Sequence, residues 1–190
     1  MAMVFSQGQR SFSMESDQEL IELANKGDPG AFEALYFRYR DWVYRLAWRF
    51  TGNRADALDV LQETFTYLLG KFPGFELTAA MTTFLYPVIR HVSLTIRRKS
   101  SRFASEEEVL DELAAPKSEE SEHYRSELTA VLIVLPDEQR EVLLMRFVDD
   151  MSLQEIAAAL TIPVGTVKSR LHNALHVLRD DRRTREYFLE

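Results

Sequence analysis

Apolar residues recur at every third or fourth position over most of the 190-residue chain, which is the spacing of amphipathic helices. There is no convincing strand and no internal repeat. The first half divides into four helical stretches. Ser16 followed by Glu19 forms a capping box that opens a helix ending near Gly27. Asp28 caps the second, with Pro29 at its first helical position. Its main stripe is Phe32, Leu35, Tyr36, Tyr39, Val43, Leu46, Ala47 and Phe50, and Thr51-Gly52 ends it. Asn53 caps the third, Arg54 to about Lys71, with Ala57, Val60, Leu61, Phe65 and Leu68 in register. After a loop, Phe72-Pro73-Gly74-Phe75, the fourth runs from about Ala79 to Lys99. Pro87 inside that pattern predicts a kink or a late start.

The second half begins with Leu128, Val131, Leu132 and Leu135 and breaks at Pro136. Asp137 to Val148 reads as a helix with Val142, Leu143 and Phe147 inward. Asp149-Asp150-Met151 is a turn, and Ser152 caps Leu153 to Leu160 with Glu155 at the third position. A tight turn, Ile162-Pro163-Val164-Gly165, leads to a last helix from Thr166 to about Arg183. Residues 100–120, rich in Ser, Glu, Ala and Lys, have the composition of a solvated spacer. The fold class is therefore all-α. Two small four-helix domains, 16–102 and 123–185, are joined by an acidic linker, 103–122, and preceded by a tail, 1–15.

Composition changes this picture in two ways. With no cysteine there is neither a disulfide framework nor a thiolate zinc site, which fits a cytoplasmic protein. No apolar run approaches a membrane span. The first 14 residues lack a signal-peptide pattern, and Met14 is a candidate natural start. The net charge of −7 is unevenly placed. Residues 1–102 carry 13 Lys/Arg against 11 Asp/Glu, 103–127 carry 2 against 9, and 128–190 carry 8 against 10. The acidity is concentrated in the linker, so overall charge does not exclude an anionic partner; local sign decides.

A short helix, a turn and a longer helix is the geometry that places the second helix in the major groove of DNA. With Val167 on the inner side, Leu171, Ala174, Leu175 and Leu178 fall on its half of the helix. Lys168, Ser169, His172, Asn173, His176 and Arg179 fall on the other half, where they can reach base edges. Thr166 lies at the leading end, and Arg170 lies on the flank, suited to a phosphate. The plain alternative is a solvated surface helix; the paired apolar stripes in register favour DNA. His172 and His176 have metal-like spacing but no supporting carboxylate in an HExxH arrangement and no cysteine, and no metal or cofactor is expected.

In the first half, Arg90, His91, Arg97, Arg98 and Lys99 follow Phe72, Phe75, Phe84 and Tyr86. Rings beside cations suit unpaired DNA; core rings and a basic helix C-terminus explain the same residues equally well. Asp56, Asp59, Gln62 and Glu63 make a polar patch on neighbouring faces of the third helix, suited to a partner protein or to solvent. A second stripe on the second helix, Phe37, Tyr44 and Trp48, is either packed between two layers or facing a partner, and the first reading is favoured. No nucleophile constellation or phosphate loop points to an enzyme.

From Asp17 to Arg179 the chain resembles the extracytoplasmic-function (ECF) sigma factors, bacterial promoter-recognition proteins of two domains. The resemblance rests first on Asp17-Gln18-Glu19-Leu20-Ile21, Gly27-Asp28, Ala31-Phe32, Leu35-Tyr36 and Thr51-Gly52-Asn53-Arg54. It continues through Asp56-Ala57, Asp59 to Phe65 and Phe84-Leu85-Tyr86. In the second half it rests on Leu135-Pro136, Gln139 to Val142, Arg146-Phe147, Glu155-Ile156-Ala157 and the specific run Pro163 to Leu171. It implies a chain that binds core RNA polymerase and promoter DNA and does no chemistry itself. Asp56, Asp59, Gln62, Glu63 and Phe65 would dock on the clamp of the largest polymerase subunit. Phe75, Phe84, Tyr86, Arg90, His91, Arg97, Arg98 and Lys99 would melt and read the minus-ten element. Thr166, Lys168, Ser169, Arg170, His172, Asn173, His176 and Arg179 would read the minus-thirty-five element as duplex. An anti-sigma partner is also implied.

The chain departs from the family at Phe84, usually Trp, at Pro87, at His91, commonly Asn, and at Asn173, often Arg. These bear on promoter sequence rather than on class. The alternative function is a helix-turn-helix regulator that binds duplex DNA without docking on polymerase.

Overall fold

A computed structural model describes residues 15–103 and 132–181, and every described element is a helix. The tail before Glu15, the expected linker, the start of the second half at Leu128 and Val131, and Arg182, Arg183 and Arg185 lie outside the described residues. The chain divides into two compact units, 1–103 and 104–190.

The first unit contains α1 (Asp17–Asn25), α2 (Pro29–Thr51), α3 (Arg54–Leu69) and α4 (Met81–Phe103). Their beginnings are chemical. The Ser16 side chain accepts from the Glu19 N–H while Glu19 accepts from the Ser16 N–H, closing the capping box. Asp28 accepts from the Gly30 N–H, and Asn53 from the Ala55 and Asp56 N–H groups. Gly52 ends α2 with φ 67°, a conformation that disfavours any residue with a Cβ. α2 is the central element and packs against α1, α3 and α4. The core is built from Leu20, Leu35, Val43, Leu46, Val60, Leu68, Met81, Leu85 and Ile89. Each such aliphatic side chain contributes about 1.5–3 kcal/mol on burial. α1 is clasped to α2 by Arg38, which donates to the Asp17 carboxylate at 2.6 Å and to the Glu15 carbonyl at 2.7 Å, and by the Tyr39 hydroxyl on Asp17.

α4 begins at Met81, two residues later than the pattern predicts, and its helix runs through Pro87 to Phe103. Pro87 is exposed, on the side away from the buried Leu85 and Ile89, so its ring is accommodated on the solvent face. The second stripe of α2 is not packed between layers of this unit, because Phe37 and Trp48 are 52% and 43% exposed.

The second unit contains α5 (Asp137–Phe147), α6 (Leu153–Leu160) and α7 (Val164–Asp180). Leu135, Leu143 and Ala174 form a small core that Leu132, Leu171, Val177 and Leu178 cover. Val142, Met145, Met151, Ile156 and Val167 are buried as well. Arg140 holds the entry to α5: its guanidinium donates to the carbonyls of Leu132 (2.9 Å), Ile133 (3.3 Å) and Leu135 (2.7 Å) and to Asp137. Phe147, expected inward, is 62% exposed, because Met145 takes the inner position. Leu175 likewise stands half-exposed, at the edge of the α7 stripe.

Candidate nucleic-acid and polymerase interfaces

α6 and α7 are joined by Thr161, Ile162 and Pro163 alone. Thr161 turns the chain with φ 56°, and the Ile162 N–H returns to the Ala157 carbonyl at 3.0 Å. Ser152 and Glu155 form a second capping box among the described residues, so α6 begins on a fixed residue. Ile156, Ala157 and Ala159 of α6 and Val167 and Ala174 of α7 are buried, which fixes the rotation of α7 about its axis. That rotation exposes Lys168, Ser169, His172, Asn173, His176 and Arg179 together on the outer face, with Thr166 partly buried at the leading end. The side chains of Lys168, His172 and Asn173 have no hydrogen bond or ion pair within the described residues, so their polar atoms are available to a ligand. Ser169 donates to the Thr166 carbonyl, and His176 faces Asp180 at 3.0 Å. Arg170 is drawn off this face into an ion pair with Glu138 of α5.

In the first unit, one groove of about 820 Å³ runs between α3 and α4. Asp56, Asp59, Gln62 and Glu63 line its α3 side, and His91, Val92, Thr95, Ile96 and Lys99 line its α4 side. Residues expected to meet polymerase and residues expected to meet DNA therefore share a groove, with carboxylates on the α3 wall and Lys99 and His91 on the α4 wall. Arg90, Arg97 and Arg98 are exposed on the neighbouring face of α4, and Arg97 also donates to the Phe50 carbonyl at 3.3 Å.

Three of the expected contact residues lie in the core. Phe65 is 6% exposed and packs edge-on to Tyr36, with ring centres 4.8 Å apart. Tyr86 is 1% exposed, against Phe50. Phe75 is buried between Phe72 and Phe84. A ring that fills the core cannot reach a partner without leaving it, so these three support the surface instead of forming it. Phe84 is only partly buried and lies over Tyr67, with rings 26° from parallel and centres 6.3 Å apart. Lys71 sits 4.4 Å from the Tyr67 ring centre. Tyr67 and Lys71 thus extend the Phe84 ledge with a ring and a cation. Sequence reading missed them because neither lies in the apolar stripe of α3. The aromatic spacing that singled out Phe72 and Phe84 is the signal that could have drawn them in.

The chain matches the family profile "Sigma-70 region 2" over residues 35–103 and "Sigma-70, region 4" over residues 131–180. It is 30% identical to the ECF RNA polymerase sigma factor SigW of Bacillus subtilis (strain 168), over 84% of this chain and 92% of that one. It is 30% identical to the ECF RNA polymerase sigma-E factor of Escherichia coli (strain K12), over 84% and 90%. Among solved structures, CnrH in complex with the cytosolic domain of CnrY has the same fold, with TM-score 0.64 and 23% identity, over 87% of this chain and 96% of that one. The sigma factor RpoE of Bartonella quintana, in complex with the anti-sigma factor NepR, aligns with TM-score 0.58 and 21% identity, over 78% and 94%. Matches to both sigma-70 regions, with sigma-factor relatives covered over 90% or more of their own length, disfavour the stand-alone duplex-binding regulator. The chain belongs to the ECF RNA polymerase sigma factors, which bind core RNA polymerase and direct transcription initiation at promoters.

Proposed function

We propose the following division of labour within this sigma factor. Asp56, Asp59, Gln62 and Glu63 of α3 dock on the clamp of the largest polymerase subunit. The loop from Phe72 to Phe84, with Tyr67 and Lys71, and the basic face of α4 (Arg90, His91, Arg97, Arg98, Lys99) hold and read the opened minus-ten strand. Bases stack on the ledge rings while cations follow the phosphates. α7 reads the minus-thirty-five element in the major groove: Lys168, Ser169, His172, Asn173, His176 and Arg179 face the bases, Thr166 stands at the leading end, and Arg170 is directed to a phosphate. The chain works in the cytoplasm and performs no catalysis; the polymerase does the chemistry. Its regulator is an anti-sigma protein, a reading supported by the anti-sigma complex of a structural neighbour. Among the described residues no helix is long and apolar enough to cross a membrane.

The observation that carries this reading is the outward polar face of α7, fixed by the burial of Val167 and Ala174. Its test is reconstitution with core RNA polymerase on a template drawn from a randomised promoter pool. Initiation that needs both proteins supports the reading. Initiation by core alone at the same rate, or failure of the chain to bind core, overturns it.

A further inference from the structure

The loop between α3 and α4 has no ladder of its own. The Gly70, Lys71 and Phe72 N–H groups return to the end of α3, and the next helical bond runs from the Phe84 N–H to the Ala80 carbonyl. Between them, one side chain from a distant part of the chain holds the backbone. Asn25, the last residue of α1, accepts from the Gly74 N–H at 2.7 Å and from the Phe75 N–H at 3.0 Å through its Oδ1. Its Nδ2 donates to the Phe75 carbonyl at 2.9 Å. A carboxamide suits this place, because one planar group offers both an acceptor and a donor. Gly74 has φ 98°, which allows both N–H groups to converge on one oxygen. Phe75, fixed at both ends by Asn25, lies 4.8 Å from Phe84, ring centre to ring centre. α1 is in turn clasped to α2 through Asp17, Arg38 and Tyr39.

We propose that Asn25 is a positioning residue for strand capture: by gripping Gly74 and Phe75 it sets the ring of Phe84, and so the ledge on which an unpaired base of the opened promoter strand is held. The inference rests on the reading that this loop handles opened DNA. Asn25 contacts no DNA itself; it acts through Phe75 on Phe84. Asn25→Ala removes all three bonds. Asn25→Asp keeps the oxygen that accepts from the two N–H groups but turns the donor to the Phe75 carbonyl into a repelling oxygen.

The test uses the full chain assembled with core polymerase, on a promoter fragment with a fluorescent base in the minus-ten region. Lys26→Ala, an exposed neighbour, serves as control. In the free protein, amide exchange at Gly74 and Phe75 accelerates in Asn25→Ala while amides within α3 and α4 keep their protection. In the holoenzyme, strand opening slows about tenfold, the factor that loss of one to two net hydrogen bonds permits. Binding to core and to duplex minus-thirty-five DNA stays as in the parent, and Asn25→Asp falls between the two. Phe84→Ala tests the underlying reading. If it opens promoters like the parent, the loop does not handle the strand and the reading fails. If it is defective while Asn25→Ala opens promoters normally, the positioning role of Asn25 is overturned.

Discussion

Arg170 of the recognition helix is tied to Glu138 of α5 by a direct guanidinium–carboxylate ion pair, with the arginine side chain 22% exposed and the glutamate 71%. One nitrogen of the guanidinium is held by Glu138, and the proposed phosphate contact would fall to the others. Glu138 at the same time places a negative charge beside the face of α7 proposed to meet DNA. Glu138→Gln leaves the arginine charge uncompensated, so duplex affinity should rise at low salt for all sequences, and the salt slope should steepen by about one. Arg170→Ala should weaken binding uniformly and flatten the slope by about one. Titrations of a labelled duplex at several salt concentrations check both.

Asn173 stands free on the outer face of α7. Asparagine pairs two-pronged with adenine, whereas arginine pairs with guanine. Asn173→Arg should therefore shift the preferred upstream element toward guanine by about 1–3 kcal/mol at one position. Selection from a randomised duplex reads this out, and an unchanged preference contradicts it.

Arg140 satisfies the carbonyls of Leu132, Ile133 and Leu135 at once. Its loss leaves several acceptors poorly paired, and Arg140→Ala should destabilise the second unit by about 2–4 kcal/mol. Lysine, a single point donor, should not restore it. Thermal unfolding of the two variants beside the parent distinguishes the outcomes.

Burial raises the Tyr39 pKa above the ordinary tyrosine value, and the hydrogen bond to Asp17 and the charge of that carboxylate raise it further, against a smaller opposing effect of Arg38. A group whose folded pKa is raised contributes stability that is complete below its unfolded value, about 10, and is lost as pH rises beyond it. Unfolding free energy of the parent should thus fall above about pH 10 more steeply than that of Tyr39→Phe. Near neutrality Tyr39→Phe should cost about 1 kcal/mol for the lost hydrogen bond. Denaturant melts across the alkaline range check the slope.

The helices were legible because their caps are local chemistry. Ser16 with Glu19, Asp28 with Pro29, Asn53, and Ser152 with Glu155 each satisfy N–H groups within three residues, and the structure begins a helix at each. Which side of a ring faces inward was less legible, since that depends on the neighbouring helices. Phe147 and Leu175 fit an inward stripe by spacing, yet the short α5 and the edge of α7 leave them outside. Phe65, Phe75 and Tyr86 have the composition of a contact surface and the packing of a core. The Asn25 grip spans 49–50 residues and follows no periodicity, so no local pattern announces it.

The central claim is that α7 recognises duplex while the Phe84 ledge holds the opened strand. Stopped-flow kinetics of the reconstituted holoenzyme on one promoter, comparing Lys168→Ala with Phe84→Ala, test it most directly. The account predicts that Lys168→Ala weakens the closed complex and leaves the opening rate constant unchanged, while Phe84→Ala slows opening from a closed complex of parental affinity. If both variants alter the same step, or if Phe84→Ala weakens only the closed complex, the division of labour is contradicted.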